Sequence, residues 1–269
     1  MSKWLSMFLC VFASLMVMFV AQGCKRNSNA MITLAGSTAF QPFAEKLAEK
    51  YMETNKDVRI NVQGGGSAVG VQSALSGAAN IGMADLLKLP PDASALTSTT
   101  VAKDGIAIVV HPGNPIRELT SSQAHDVFAG KIVDWKELGG ADAPIHVISR
   151  EEGSGTRRSF DTLVLGGEKL TPNALFQNSN GTIREAVAND GQAIGYVSIG
   201  LVNDKVKAVS LNGVAPSNEN VKKGVYPLSR PVFFLTKGEP TAGTKKFIDY
   251  VLSEDSQKLL EKEGLIAAK

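Results

Sequence analysis

The sequence predicts an α/β protein with two mixed-sheet lobes that face each other across a ligand cleft. Short apolar segments rich in Val and Ile alternate with helical patterns along the chain after its N-terminal segment, as in proteins whose helices cover a sheet. Two proline-containing breaks, at 111–115 and 226–231, interrupt this alternation. Two breaks give two linkers, so we expect a hinge between a first lobe, 31–111 plus 227–269, and a second lobe, 112–226.

The strand predictions rest on apolar runs without alternation, which are typical of strands buried on both faces of a mostly parallel sheet. The predicted strands are 31–35, 58–63, 81–84, 106–111, 145–149, 193–197, 206–211 and 232–236. Helical spacing of apolar residues, proline in a first turn and glycine after a last turn predict the helices between them. The predicted helices are 42–51, 68–76, 122–129, 156–165, 182–189, 241–253 and 255–263.

The composition excludes several classes of protein. With 28 Lys and Arg against 26 Asp and Glu, the net charge of +2 does not indicate a nucleic-acid partner. Two cysteines and three histidines are too few for a disulfide scaffold or a cysteine–histidine zinc site, so we expect no metal and no cofactor. We expect a monomeric globular protein.

The N-terminus has the pattern of an export signal. Lys3 precedes an apolar run over 4–20, and small residues then lead to Gly23 and Cys24. A cysteine directly after glycine at such a site resembles a bacterial lipobox. It predicts a signal peptide over 1–23, lipidation of Cys24, a tether over 24–30, and a protein anchored to a membrane in the periplasm or at the cell surface. The alternative is an uncleaved signal anchor, because the apolar run approaches the length that spans a bilayer.

Three loops share one pattern of strand, glycine turn, hydroxyl residue and helix. They lie at 36–38, 64–67 and 153–156. The first turn of a helix has unpaired N–H groups and a partial positive charge, glycine lets a ligand approach the backbone, and hydroxyls add donors. These features favour an anion site with little formal charge. Each loop alone could be a simple N-cap, but three loops from both lobes favour a shared ligand.

Two charged residues follow predicted strands near these loops. Arg150 stands four residues before Ser154, where a guanidinium can bind two oxygens of a tetrahedral anion. Asp85 follows the strand 81–84, and a carboxylate beside an anion fits a ligand that carries a proton. The alternatives are a surface ion pair for Arg150 and a helix cap or loop position for Asp85.

These residues carry a resemblance to a known family. Essentially all of the chain after Cys24 resembles the phosphate-binding proteins of bacterial high-affinity phosphate ABC transporters, the PstS type. The matching segments are 36–38 with Pro42, 64–67, 81–85, 104–107, 128–132 with Trp135, 150–156, 193–196 and 226–231. The resemblance implies a type II periplasmic binding protein fold, in which the ligand lies in the cleft between two lobes joined by two linkers.

The resemblance also implies which residues contact phosphate. Asp85 is expected to accept the proton of the ligand, and Glu152 to orient Arg150. The other expected contacts are made by side chains or amides of Thr38, Ala39, Ser67, Arg150, Ser154, Gly155 and Thr156.

The expected function is that of an extracytoplasmic solute-binding protein, which captures inorganic phosphate and delivers it to the permease subunits of an ABC transporter. Two alternatives stay open, a binding protein for another oxyanion such as sulfate, molybdate or tungstate, and a phosphate sensor. An enzyme is not expected. The chain has no Gly-x-x-x-x-Gly-Lys-Ser/Thr loop, no Gly-x-Ser-x-Gly motif surrounds Ser154, and the three histidines lie outside recognisable catalytic motifs.

Overall fold

A computed structural model describes residues 30–268 as a mixed α/β structure. The predicted signal peptide, Cys24 and all but the last residue of the tether lie outside the described residues. The strands, β1 to β12 in chain order, are Ala30–Gly36, Val58–Gly65, Ile81–Asp85, Leu96–Val110, Glu118–Leu119, His146–Arg150, Leu175–Gln177, Ala193–Ser198, Lys207–Ala208, Ser210–Leu211, Ser229–Lys237 and Ile266–Ala267.

Local signals in the sequence determine where the helices begin and end. Pro42 occupies the first turn of the first helix, where its missing N–H costs nothing. Thr120 and Gln123 form a reciprocal capping box at the third helix, and Gly77 ends the second helix in the left-handed conformation. The α-helices, α1 to α8 in chain order, are Gln41–Thr54, Ser67–Ser76, Ser121–Ala129, Gly155–Phe160, Asn180–Ala188, Asn218–Lys222, Ala242–Val251 and Glu254–Lys262.

Most strands form one mixed sheet in the order β2-β1-β3-β11-β4-β8-β6-β7, with β9 and β12 paired to β4 outside this order. At one end β1 lies parallel to β2 and β3, and at the other β6 lies parallel to β7 and β8. In the middle, β4 and β11 run antiparallel to their neighbours. β4 joins the two ends, because it pairs with β11 over 96–105 and with β8 over 106–110.

The largest apolar clusters lie at opposite ends of this sheet. One cluster packs β1, α1 and β3 against the C-terminal helices, around Leu34, Leu47 and Phe247. The other cluster draws nearly all of its members from 106–228 and contains a stacked pair, Phe160 and Tyr196, whose ring centroids are 4.0 Å apart. Within the described residues, no helix is both long enough and apolar enough to cross a bilayer.

The structure confirms the predicted strand–helix alternation and corrects several details. The mostly parallel arrangement is wrong for β4 and β11. β4 also starts well before the predicted strand 106–111, because its first half carries Thr, Ser and Lys and gains strand structure by pairing with β11. The predicted strand 206–211 is divided into β9 and β10, and the predicted helix 156–165 is α4 followed by a π-helical turn at Asp161–Leu165. The short elements β5, β7, β12 and α6 were not predicted.

Candidate functional site

Each of the three glycine loops joins a strand to a helix, as predicted. Residues 37–40 lie between β1 and α1, Gly66 lies between β2 and α2, and 151–154 lie between β6 and α4. Asp85 is the last residue of β3 and Arg150 the last residue of β6. The buried polar residues at these positions are no more than 2% exposed and include Ser67, Asp85, Arg150, Ser154 and Thr156.

Asp85 accepts hydrogen bonds from residues that are distant along the chain. Its Oδ1 accepts from Ser67 Oγ at 2.7 Å, and its Oδ2 accepts from Thr156 Oγ1 at 3.1 Å. The amide of Asp85 donates back to Ser67 Oγ at 3.1 Å. These contacts connect β3, α2 and α4, so Asp85 does not have the role of a helix cap.

Arg230, on β11, is a residue of this cluster that the sequence interpretation missed. Its Nε donates to Asp85 Oδ2 at 2.8 Å, and its Nη2 donates to Asp104 Oδ2 at 2.9 Å and to Thr156 Oγ1 at 3.1 Å. The Arg230 side chain is completely buried, and Ser198 Oγ donates to Asp104 Oδ1 at 2.6 Å. The sequence feature that could have indicated these residues is a charged residue just before a predicted apolar strand. Arg230 precedes the strand 232–236, and Asp104 precedes the strand 106–111.

One guanidinium therefore serves two buried carboxyl groups, and they titrate differently. Burial opposes ionisation of Asp85, but Arg230 and the hydroxyls of Ser37 and Ser67 outweigh it and lower the pKa of Asp85 below its ordinary value. Burial raises the pKa of Asp104 to about 6, because the opposing effects of Arg230 and Ser198 are too small. Asp85 accordingly stays ionised to lower pH than Asp104 does.

Arg150 is held in a different way from the expected one. The expectation that Glu152 orients it is wrong, because Glu152 is exposed and the neighbouring Glu151 makes the contact. Oε2 and Oε1 of Glu151 accept from Nε and Nη2 of Arg150, both at 2.9 Å. Nη2 also donates to Thr38 Oγ1 at 3.1 Å, which links β6 to the loop after β1. Nη1 is buried and has no hydrogen-bond partner among residues 30–268, so it is available to a ligand.

Gly155 lies at the closest approach between α4 and the segments around Ser67 and Asp85. A Cβ at this position would lie 2.2 Å from Ser67 Oγ and 2.4 Å from the Asp85 carbonyl oxygen. Only glycine fits here, because such distances are far below van der Waals contact. Beside it, the Ala68 amide donates to the Gly153 carbonyl at 3.0 Å, so the two loops are in direct contact.

The predicted residues thus fall into two groups and two single positions. Thr38 pairs with Arg150, and the second group is Ser67, Asp85, Gly155 and Thr156. Ala39 is buried in the turn before α1, and Ser154 caps α4 by accepting from the Arg157 amide at 3.2 Å. No hydrogen bond between residues 30–268 joins Ala39 or Ser154 to the other predicted contacts.

The cluster combines many donors with an ionised acceptor, Asp85. Arg150 Nη1, several hydroxyls and the first-turn amides of α4 can donate to an anion, and Asp85 can accept. The two guanidinium groups are already paired with carboxylates, so anion binding depends on aligned backbone dipoles and neutral donors rather than on excess charge. Such a set fits an oxyanion that carries a proton. Within residues 30–268, no group of three His, Cys, Asp or Glu side chains is arranged to hold a metal ion.

A cavity elsewhere in the described residues lacks such a set of hydrogen-bond donors. It has a volume of about 450 Å³ and lies between the end of α3 and the start of β6, and it is lined mainly by apolar side chains that include Val127, Val133 and Leu175. Its one imidazole, His146, is paired with Asp190 at 2.7 Å. Without converging donors, this cavity is not suited to an anion.

Comparisons with known proteins agree with this chemistry. The family model of the PBP superfamily domain matches residues 24–255. The phosphate-binding protein PstS of Bacillus subtilis (strain 168) is 38% identical over 238 residues, which cover 87% of this chain and 79% of that protein.

Solved structures give the same result. The crystal structure of a putative phosphate ABC transporter substrate-binding protein with bound phosphate, from Clostridium perfringens, superposes with a TM-score of 0.85 at 41% identity, covering 89% of this chain and all of that chain. An ABC-type phosphate transport receptor from Vibrio cholerae superposes with a TM-score of 0.73 at 36% identity, covering 88% of this chain and all of that chain.

Proposed function

The chain belongs to the PstS-type phosphate-binding proteins of the PBP superfamily, and we propose that it captures inorganic phosphate outside the cytoplasm and delivers it to the permease subunits of an ABC transporter. The family is one of binding proteins, which agrees with the expectation that the chain is not an enzyme. The observation that carries the proposal is the buried cluster in which donors surround the ionised acceptor Asp85.

In this proposal, phosphate binds between the loops that follow β1 and β2 and the loop that leads into α4. Arg150 Nη1, the hydroxyls of Thr38 and Ser154, and the amides of Ala39 and Gly155 donate to its oxygens. The hydroxyls of Ser67 and Thr156, which donate to Asp85 in this structure, rotate to donate to the ligand. The proton of the ligand goes to Asp85. Two observations support this arrangement: the close contact of Gly155 with Ser67, and the buried Arg150 Nη1, which has no hydrogen-bond partner among residues 30–268.

We further propose that the chain forms two lobes, 31–111 plus 227–269 and 112–226, which close on the ligand. The separate apolar clusters at the two ends of the sheet support this division. The change of partner along β4, from β11 up to Gly105 to β8 from Ile106, supports a crossing between the proposed lobes along this strand. The second crossing corresponds to the segment that leads into β11.

The binding proposal is tested by titration calorimetry of the purified chain with inorganic phosphate, sulfate and molybdate. We expect tight binding of phosphate and much weaker binding of sulfate, because sulfate at neutral pH has no proton to donate to Asp85 and leaves a buried carboxylate facing its lone pairs. Tight binding of sulfate or molybdate in preference to phosphate would favour the other-oxyanion alternative. Phosphate uptake by cells that lack the protein separates transport from sensing, since a sensor alone leaves uptake unchanged.

We also propose that Cys24 carries a lipid anchor and that 1–23 is removed as a signal peptide. The small residues before Cys24 and the polar residues after it support this reading. Replacement of Cys24 by Ser should release the protein from the membrane fraction without changing its affinity for phosphate. Labelling with palmitate checks this prediction directly, and unlabelled wild-type protein that stays in the membrane would favour the signal-anchor alternative.

A further inference from the structure

Arg230 has contacts that the proposed phosphate contacts alone do not explain. It lies near the start of β11, far along the chain from the glycine loops, yet its guanidinium donates to or contacts Asp85, Asp104 and Thr156. Its Nε and Nη2 lie 2.8 and 2.6 Å from the same Asp85 oxygen, Oδ2. The side chains of Arg230 and Asp85 are 0% and 2% exposed, so solvent does not screen this pair.

We propose that Arg230 is a positioning residue that sets the ligand selectivity of the site: it holds Asp85 as an obligate hydrogen-bond acceptor and connects it to Thr156. The inference rests on the proposed function, since the ligand that Asp85 selects is taken to be phosphate. Arg230 Nε and Nη2 both contact Oδ2, so the oxygen that accepts the proton of phosphate is Oδ1, from which the Ser67 hydroxyl turns to the ligand. Arg230 Nη1, like Arg150 Nη1, is buried without a hydrogen-bond partner among residues 30–268. The role proposed for Arg230 rests on its contacts with Asp85 and Thr156 and not on a contact with the ligand.

Arg230 supplies the positive charge that makes this arrangement possible. Among residues 30–268, the charged groups that face Asp85 are Arg230 from β11 and, beyond it, Asp104 from β4. The loop after β1 and the helices α2 and α4 contribute the uncharged hydroxyls of Ser37, Ser67 and Thr156. Without Arg230, Asp85 would be a buried carboxylate with no cation in contact with it, and it would become protonated near neutral pH.

Protonation of Asp85 would change the selectivity of the site and not only its affinity. A neutral carboxyl group can donate a hydrogen bond, so it can bind sulfate as readily as protonated phosphate. A residue with a purely structural role would lower the affinity for both anions in parallel and would leave the pH dependence unchanged. The ratio of the two affinities and its pH profile therefore distinguish the two roles.

The experiment compares Arg230→Met, Arg230→Lys and the control Arg59→Met, which removes an exposed guanidinium on β2. Calorimetry with inorganic phosphate and with sulfate is carried out between pH 5.5 and 8, values chosen to bracket the titration of a buried carboxyl group. For Arg230→Met we expect the affinity for phosphate at pH 8 to fall by about 100-fold or more and to recover toward pH 5.5. The ratio of the affinity for phosphate to the affinity for sulfate should fall by at least about tenfold. Arg230→Lys keeps a cation, so it should retain the wild-type ratio of affinities and the wild-type pH dependence of phosphate binding. The control Arg59→Met should match wild type in both measurements.

A second measurement does not depend on any ligand. The carboxyl carbon of Asp85, assigned by comparison with Asp85→Asn, is followed by ¹³C NMR as the ligand-free protein is acidified. In wild type the pKa of Asp85 should lie below its ordinary value of 3.8, and in Arg230→Met it should lie clearly above that value. Titration of wild-type Asp85 above pH 5 would overturn the inference even if Arg230→Met does not fold.

The outcomes for the inference and for the proposed function are distinct. An Arg230→Met protein with the wild-type ratio and pH profile overturns the role of Arg230 and leaves phosphate binding intact. A wild-type protein that binds no phosphate overturns the proposed function, and the NMR titration then still decides whether Arg230 holds Asp85 ionised.

Discussion

Arg150 and Asp85 are each held by an ion pair. In the proposed site Arg150 donates a hydrogen bond to phosphate, and Asp85 accepts one from it. Glu151 fixes the Nε and Nη2 edge of Arg150 and leaves Nη1 free to donate. Arg230 neutralises Asp85 and leaves it as an acceptor. In the proposed site the two residues therefore make different contributions, Arg150 to the affinity for phosphate and Asp85 to the selectivity for phosphate over other anions.

Replacement of Arg150 by Ala should weaken phosphate binding by roughly 2–5 kcal/mol, because a buried, charge-assisted donor is lost. Arg158 is the matched control, since it is exposed and its Nε contacts only the Glu152 carbonyl, at 3.3 Å. Its replacement by Ala should change binding by no more than about 0.5 kcal/mol. Titration calorimetry with phosphate measures both variants, and equal losses would contradict the assignment of Arg150.

Replacement of Asp85 by Asn should narrow the preference for phosphate over sulfate by at least about tenfold. The amide can donate to sulfate or accept from phosphate, whereas the carboxylate can only accept. Asp104 remains to balance Arg230 in this variant, which limits the loss of stability. Competition of sulfate against labelled phosphate checks the prediction. An unchanged preference in a folded variant would show that Asp85 has only a structural role.

At the scale of secondary-structure elements, the first turn of α4 is packed against the ends of α2 and β3. The contacts include the hydrogen bond from the Ala68 amide to the Gly153 carbonyl and the one from the Thr156 hydroxyl to the Asp85 carboxylate. Gly66, which precedes α2, has a φ of 89°, a conformation that favours glycine, and a Cβ there would lie 2.9 Å from the Gly153 carbonyl oxygen. These elements can approach so closely because glycines occupy the contact.

Gly155→Ala should therefore prevent this close approach and lower phosphate affinity by at least about tenfold, since the new Cβ would overlap Ser67 Oγ. Gly153→Ala is the control on the same loop, because a Cβ there would make ordinary contact with Ala68 Cβ at 3.6 Å. Calorimetry measures the affinities, and small-angle scattering with saturating phosphate reports whether the chain becomes compact. Identical behaviour of the two variants would argue against closure at Gly155.

At the scale of the whole molecule, β4 and β11 bring buried charges to the middle of the sheet. Arg230 and Asp104 are direct partners in the register of these two strands, and Asp85 ends the strand on the other side of β11. The charges therefore lie where the two apolar clusters meet rather than inside either cluster. Their protonation bears on the stability of the entire chain.

The raised pKa of Asp104, about 6, predicts that this residue lowers stability as pH rises. Between its unfolded value of 3.8 and about 6, the folded state binds more protons than the unfolded state, so its contribution falls with increasing pH. Asp104→Asn should therefore gain stability relative to wild type between pH 4 and 7, on the order of 2 kcal/mol. Denaturant unfolding at several pH values measures the difference, and a difference that does not vary with pH would refute the prediction.

Much of the local structure and part of the site could be predicted from neighbouring residues. Helix caps, proline in a first turn and apolar periodicity depend on residues a few positions apart, so the bounds of α1, α2 and α3 were close to those observed. The same holds for the three glycine loops and for Asp85 and Arg150 at the ends of strands. These features require only that each segment adopt its preferred conformation.

The partners of these residues follow from the arrangement of distant segments. Arg230 meets Asp85 across 145 positions of chain, and this contact exists because β11 inserts antiparallel between β3 and β4. The choice of Glu151 over Glu152 beside Arg150 likewise depends on which side chain the loop before α4 turns inward. Strand order and direction are set by how apolar faces pack across the whole chain, and no local pattern contains that information.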